Sequence, residues 1–221
     1  MIVGRGMIGS YFNSKYSNNN HIIFASGVSN SMCVDVNEYK REFELIKTTI
    51  QNNPDKKIIY FSSVFVGYVD NMYYKHKQDM ENYILTRDDS LIFRIPQLIG
   101  HGGNSKNLFN YLKQSIQMGS EIRTNSKIMR AFLDISDLFN IVNLCSYESG
   151  ILTISYIEKI KVLDICKIIA KQLKTEERII VDDSFVSDEF FPQNSNIVDE
   201  AINKLEISKL DYNERVIRKY L

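Results

Sequence analysis

Ser62-Ser63, Tyr73 and Lys77 are the residues of this sequence whose types and spacing suit chemistry on an oxygen atom. Tyr73 and Lys77 stand four apart, so on a helix they share a face. A free phenol titrates at about pH 10, and a neighbouring ammonium lowers that value. Tyr73 is therefore expected to exchange a proton with a hydroxyl or carbonyl. Ser63 would hydrogen-bond the same oxygen, with Ser62 as its fallback. Hydride transfer involving a nicotinamide is the reaction such a trio serves. A Tyr and a Lys four apart also occur by chance on exposed helices, so the trio takes its weight from what precedes it.

What precedes it is Val3-Gly4-Arg5-Gly6-Met7-Ile8-Gly9, a G-x-G-x-x-G turn between a strand and a helix. Gly4 permits the tight turn, Gly6 lets the backbone approach a pyrophosphate, and Gly9 lets the helix pack on the strand. The helix start adds free N–H groups for phosphate oxygens. Gly4, Arg5, Gly6, Met7, Ile8 and Gly9 are accordingly candidate cofactor-binding residues. Arg5 would favour NADP over NAD if it reaches a ribose phosphate, and is otherwise a solvated surface residue.

These residues need a sheet to hold them. Met1–Val3, His21–Ala25, Lys57–Ser62 and Leu91–Ile95 are short and nearly continuously apolar, as strands buried on both faces of a parallel sheet are. Helical patterns at Ile8–Tyr16, Asn37–Gln51 and Tyr73–Thr86 alternate with them, and Asn52-Asn53-Pro54-Asp55 is a helix stop. The alternation predicts an α/β fold with a mostly parallel sheet, flanking helices and right-handed crossovers. Residues 1–100 would form a reduced dinucleotide-binding region. Residues 101–221 would supply substrate-binding loops and closing helices, with some return to the sheet, in one compact unit. Helices are expected at Asn107–Gln117, Asp137–Tyr147, Val162–Leu173, Val198–Leu205 and Asp211–Leu221. Strands are expected at Ile151–Ser155 and Arg178–Val181, with a short one within Glu121–Leu133.

Composition excludes several function classes. Lys plus Arg and Asp plus Glu are both 27, which removes the electrostatic reason to expect nucleic acid or an anionic membrane as partner. No apolar run reaches the roughly 20 residues of a membrane span, and no export signal is visible. Cys33, Cys145 and Cys166 form no CxxC pair and read as thiols of a reducing cytoplasm. No metal site is expected. His76 is expected to face solvent, His101 to touch substrate at most, and the pairs Asp182-Asp183 and Asp188-Glu189 to solvate loops.

The order of motifs resembles the extended short-chain dehydrogenase/reductase superfamily, in its branch of sugar-nucleotide epimerases, dehydratases and reductases. The resemblance rests on the glycine turn, the strand ending Ser62-Ser63, Tyr73-xxx-Lys77 with Glu81 beyond it, then Phe93-Arg94-Ile95-Pro96 and Gly100. It extends through Asn107-Leu108, Arg130–Asp137, Gly150–Ser155 and Val162–Ile165. It implies Tyr73 as acid/base and Lys77 as its partner, holding also the nicotinamide ribose, while Ser63 orients the substrate. It implies the glycines and Ser26 against the cofactor, the Pro96 loop beside the nicotinamide, and Asn107 and Arg130 on a nucleotide-sugar diphosphate. Arg130 has the alternative of an ion pair with Asp134 or Asp137. The cofactor implied is NAD or NADP, and the activity reduction of a nucleotide-linked keto-sugar in polysaccharide biosynthesis. An epimerase, a dehydratase or a non-catalytic binding relative are the alternatives, and no carboxylate in Val64-Phe65-Val66 supports a dehydratase.

The same resemblance implies a cytoplasmic homodimer through Asn37–Gln51 and Tyr73–Thr86. Phe43, Ile46 and Ile50 would face the partner or, alternatively, the sheet. Three departures stand against the family pattern. The glycine turn is one residue short. Phe24–Ser29 resembles the family's fourth strand and its loop yet follows the first helix directly, so a strand–helix–strand segment that carries adenosine contacts is missing. The stretch from Ser63 to Tyr73 is also short. Ser26, Ser29 and Asn30 are the polar groups left near the reacting sugar, or else turn formers.

Overall fold

The computed structural model describes residues 1–184 and 191–221. Its first half runs β1 (Ile2–Val3), α1 (Met7–Asn13), β2 (His21–Phe24), α2 (Val36–Gln51), β3 (Lys57–Ser63), α3 (Met72–Ile84) and β4 (Leu91–Ile95). Then follow β5 (Gln97–Ile99), α4 (Leu108–Gln117), β6 (Glu121–Thr124), β7 (Met129–Arg130), β8 (Phe132–Asp134), α5 (Ile135–Cys145) and β9 (Gly150–Thr153). The chain ends with β10 (Ile160–Lys161), α6 (Val162–Leu173), β11 (Arg178–Val181), α7 (Asn196–Lys204) and α8 (Tyr212–Lys219).

The main sheet is parallel throughout, in the order β1-β2-β3-β4-β9. Its strands are apolar on both faces because both faces are covered. Ile22, Phe24, Ile58, Tyr60 and Ile92 meet Ile46 of α2 and Met80 and Ile84 of α3. Ile23, Ile59, Phe61 and Phe93 meet Phe12 of α1 and Leu138, Ile141 and Val142 of α5. Ile46 is buried in the core beneath α2, with Phe43 and Ile50 packed against it. That helix face is therefore spent on the sheet, the alternative left open beside a dimer contact.

The hands of the crossovers differ from expectation. Each step from β1 through β4 to β9 runs the same way across the sheet. Yet α2 and α3 lie on one face and α1 and α5 on the other. Connections that step the same way over opposite faces have opposite hands, so two of the four break the right-handed rule. On the face of α1 and α5, Phe12 packs edge-on to Phe61 at 5.7 Å and to Phe139 of α5 at 5.1 Å.

Three small sheets complete the second half: β5 with β8 and β6 with β11 are parallel, and β7 with β10 is antiparallel. The stretch Glu121–Leu133 thus contributes to three strands rather than one. Helix α5 starts earlier than the sequence suggests because Asp134 caps it, accepting from the Ser136 N–H at 2.8 Å. Asp182 and Asp183 are in an exposed turn, where Asp183 accepts from the Ser126 N–H and hydroxyl at 2.7 and 2.9 Å. Asp188-Glu189 lie outside the described residues. Among the described residues, no helix is long and apolar enough to cross a membrane, and no group of three or more His, Cys, Asp or Glu could hold a metal ion.

Candidate active site

A cleft of about 980 Å³ opens where β1, β2, β3 and β4 end. Open parallel sheets place ligands there. Arg5, Gly6, Met7 and Ile8 form one wall, the loop after β2 another, and Ser62 and Ser63 the floor. Tyr73, Tyr74 and Lys77 of α3, Pro96, and residues of the 101–108 loop close it. Of the residues singled out from sequence, Arg5, Gly6, Met7, Ile8, Ser26, Ser29, Ser62, Ser63, Tyr73, Lys77, Pro96 and Asn107 meet here. Gly4, Gly9 and Arg130 are not in the wall.

The glycines divide their work. Gly4 has φ +129°, and a Cβ there would stand 2.3 Å from the Ala25 carbonyl oxygen. A Cβ on Gly9 would stand 2.4 Å from the Gly4 oxygen. Both are packing glycines that let β1, β2 and α1 converge. A Cβ on Gly6 would meet nothing within 4 Å, so its backbone faces open cleft, as the approach of a phosphate requires. Met7 lies under the 100–103 loop, its Cε only 2.6 Å from where a Gly103 Cβ would be.

Lys77 departs from the simple Tyr–Lys pairing. It is only 3% exposed, and its Nζ donates to Glu42 Oε1 at 3.1 Å and to Tyr60 Oη at 2.7 Å. Glu42, fully buried, also accepts from the Tyr60 hydroxyl at 2.6 Å, the Val28 N–H at 2.7 Å and His76 Nε2 at 3.0 Å. Burial alone would raise the Glu42 carboxyl, but the Lys77 charge and these hydrogen bonds hold it well below the usual carboxylate range. His76 is thus not directed to solvent: it stacks on Tyr39 at 4.6 Å and pairs with Glu42. Gly27 lets the loop pass, since a Cβ there would stand 2.7 Å from Lys77 Nζ.

Tyr73 lies beside this cluster, its ring centroid 5.7 Å from Lys77 Nζ. Its phenol is pushed up, first by burial and then by the Glu42 charge. This corrects the expectation that Lys77 lowers it; a carboxylate already answers the ammonium. Tyr74 stands edge-on to Tyr73, ring centroids 5.0 Å apart. Its phenol is raised, first by burial and then by Tyr73, while Ser63, the Arg130 charge and Ser31 work against the rise. Ser62 Oγ is buried with no hydrogen-bond partner, while Ser63 Oγ accepts from the Phe65 N–H at 3.3 Å.

The remaining candidates are partly committed. Asn107 Oδ1 caps α4, accepting from the Asn110 N–H at 2.8 Å. Arg130 donates to the Met129 carbonyl at 2.7 Å. The Asp134 carboxylate is met by Lys219 at 2.7 Å and Tyr220 at 2.8 Å, and Asp137 by Tyr212 at 2.7 Å. Sequence reasoning missed Glu42, Tyr60 and Arg41, whose guanidinium reaches Ser26 O at 3.2 Å. The signal for Glu42 was a carboxylate on the apolar stripe of an amphipathic helix, between Tyr39 and Ile46.

The cleft is one-sided in charge. Arg5, Arg41, Lys77 and Lys106 line it, with no Asp or Glu among the lining residues; Glu42 answers Lys77 and Glu38 answers Arg41 from behind the wall, which leaves Arg5 and Lys106 to a ligand. In a chain of balanced charge, that suits an anionic ligand. A nicotinamide dinucleotide meets a fitting donor set here: open backbone at Gly6, an unpartnered Ser62 hydroxyl and the Arg5 and Lys106 side chains.

No protein-family model and no curated protein sequence matches the chain. Solved structures do. A dTDP-4-dehydrorhamnose reductase from Bacillus anthracis, in complex with NADP, superposes with a TM-score of 0.72 at 14% identity, over 99% of this chain and 95% of that one. The chain has the fold of the extended short-chain dehydrogenase/reductases. A protein called MoeE5, in complex with UDP-glucose and NAD, shares this fold with a TM-score of 0.74 at 14% identity, over 99% and 97% of the two chains. So does a UDP-N-acetylglucosamine 4-epimerase from Methanobrevibacter ruminantium, in complex with UDP-N-acetylmuramic acid, at 0.70 and 13%, over 90% and 74%. The Rossmann-like parallel sheet expected from sequence is the sheet of this fold.

Proposed function

We propose that this protein is an NAD(P)-dependent reductase of a nucleotide-linked keto-sugar. One observation carries the reading. A cleft without carboxylates brings Ser62, Ser63, Tyr73 and Lys77 to the open backbone of Gly6. The fold shared with nucleotide-sugar enzymes supports it.

When bound, the nicotinamide supplies the hydride. The backbone at Gly6 and the hydroxyl of Ser62 hold the cofactor, and Ser63 orients the sugar carbonyl. Tyr73 holds a proton on its phenol and delivers it to the sugar oxygen. Lys77 has three donors, of which Glu42 and Tyr60 take two; the third serves a ligand hydroxyl. Asn107, in the cleft wall, offers Nδ2 to the sugar-nucleotide phosphates; Arg130 stands outside that wall. A raised phenol favours the acid role over the base role, hence reduction over the oxidation that opens an epimerase or dehydratase cycle.

Titration of the chain with NADH and NADPH tests the reading, and failure of both to bind at millimolar concentration overturns it. Two finer outcomes are expected. Arg5 is exposed on the turn and favours the 2′-phosphate of NADP. Arg5→Ala should lower the NADPH-to-NADH affinity ratio by about fivefold at most, the worth of one exposed charge pair. An unchanged ratio removes Arg5 from cofactor choice.

The second outcome concerns pH. A raised phenol pKa keeps the acid form to higher pH, so the reduction step should not lose rate to Tyr73 titration between about pH 7 and 10. Kcat measured across that range checks it. A fall with a midpoint near neutrality, shifted by Glu42→Gln, would place the titration on Tyr73 and refute the acid assignment.

A further inference from the structure

Doubly wound dinucleotide sites are built from two mononucleotide halves on either side of the first strand, in the order 3-2-1-4-5-6. Here β1 is the edge of its sheet: it pairs with β2, and among the described residues nothing pairs with its other side. Residues 14–20 alone join α1 to β2, too few for a further strand and helix between them. The half of the sheet that would lie under a first nucleotide is absent from this connection.

The crevice itself survives. A ligand crevice forms where the loops after two neighbouring parallel strands leave toward opposite faces. The chain leaves β1 into α1 on one face and β2 into α2 on the other. The opposite hands of the α1 and α2 crossovers therefore preserve a switch point without a reversal of strand order. Ser26, Gly27 and Ser29 after β2, Ser62 and Ser63 after β3, and Pro96 after β4 then serve one side of that crevice. On the β1 side the wall is the glycine turn and the start of α1, Arg5, Gly6, Met7, Ile8 and Ser10; Met7 is covered by the 100–103 loop, and among the described residues no strand lies beyond β1 to floor an adenine site.

We propose that the cleft holds a nicotinamide dinucleotide by its diphosphate and nicotinamide riboside, with the adenine base outside the protein. The proposal rests on the reductase reading above. It makes the identity of the distal base immaterial to binding, a property the ordinary two-half site lacks.

The test is calorimetric titration of the full chain with NADH, with reduced nicotinamide cytosine dinucleotide, which keeps the diphosphate and changes only the distal base, and with AMP in competition. The expected result is that the two dinucleotides bind within about threefold of each other, and that AMP at millimolar concentration does not displace NADH. NADH binding tenfold or more tighter than the cytosine analogue, or displacement by AMP, overturns the proposal and leaves the reductase reading intact. Binding of neither dinucleotide overturns both.

Discussion

Glu42→Ala is expected to destabilise the chain by about 3–5 kcal/mol, the cost of leaving a buried charge without its partner. The variant strands the Lys77 ammonium, 3% exposed, and removes the acceptor used by Tyr60, His76 and the Val28 N–H. Urea unfolding measures the change. Two further variants separate charge from shape. Glu42→Gln keeps the shape and some of the hydrogen bonds but loses the countercharge, so it should fall between Ala and the parent. Pairing Glu42→Leu with Lys77→Met removes both charges, and buried pairs replaced by apolar residues of similar volume are often neutral in stability. The double variant should therefore recover the part of the loss due to the stranded charge, while Tyr60, His76 and the Val28 N–H still lack their acceptor. A Glu42→Ala cost below about 1 kcal/mol, the range of exposed pairs, would mean that the cluster is open to water.

The same carboxylate sets an acid limb. Its pKa is held below the unfolded value. Its stabilisation is therefore complete above the ordinary carboxylate range and is lost as pH falls through the lower, folded value. The limb should shrink in the paired Leu and Met variant, which has no carboxylate to protonate at that position. Because Glu42 also fixes Val28, it ties the loop after β2 to the helix carrying Tyr73. Stability and site geometry are linked through one side chain.

The parts of this architecture written in local pattern were legible. The strands read as apolar runs because α2 and α3 cover one face of the sheet and α1 and α5 the other. The shape of the glycine turn was legible because Gly4 and Gly9 answer to contacts within a few residues of β1 and to the neighbouring β2. The spacing of Tyr73 and Lys77 needed only helix periodicity. What escaped was tertiary. Glu42 reaches Lys77 across 35 residues, and Lys219 reaches Asp134 across 85. No window of sequence holds either pair. The opposite hands of the α1 and α2 crossovers escaped for a different reason: a strand apolar on both faces does not say which face the next helix takes. His76 escaped because two flanking lysines suggested water, while the helix in fact turns that position toward Glu42 and Tyr39.

Tyr73→Phe is expected to lower kcat by about 10²- to 10⁴-fold, the usual worth of a positioned general acid, with NADH affinity and the unfolding midpoint nearly unchanged. The phenyl ring keeps the packing against Tyr74, at 5.0 Å between centroids, and only the hydroxyl is lost. The contrast with Tyr74→Phe makes the result decisive. Tyr74 also lines the cleft, and Ser63 is near enough to work against the rise of its phenol, so among the described residues it is the other phenol of the cleft placed to serve the same oxygen. If Tyr73 carries the proton, Tyr74→Phe should chiefly raise KM and leave kcat within about tenfold, since it then orients substrate through Ser63. A collapse of kcat in Tyr74→Phe with little change in Tyr73→Phe would exchange the two roles. Tyr73 would then belong to the Glu42–Lys77 cluster as a structural member, and proton delivery would come from the phenol beside Ser63 and within the field of Arg130.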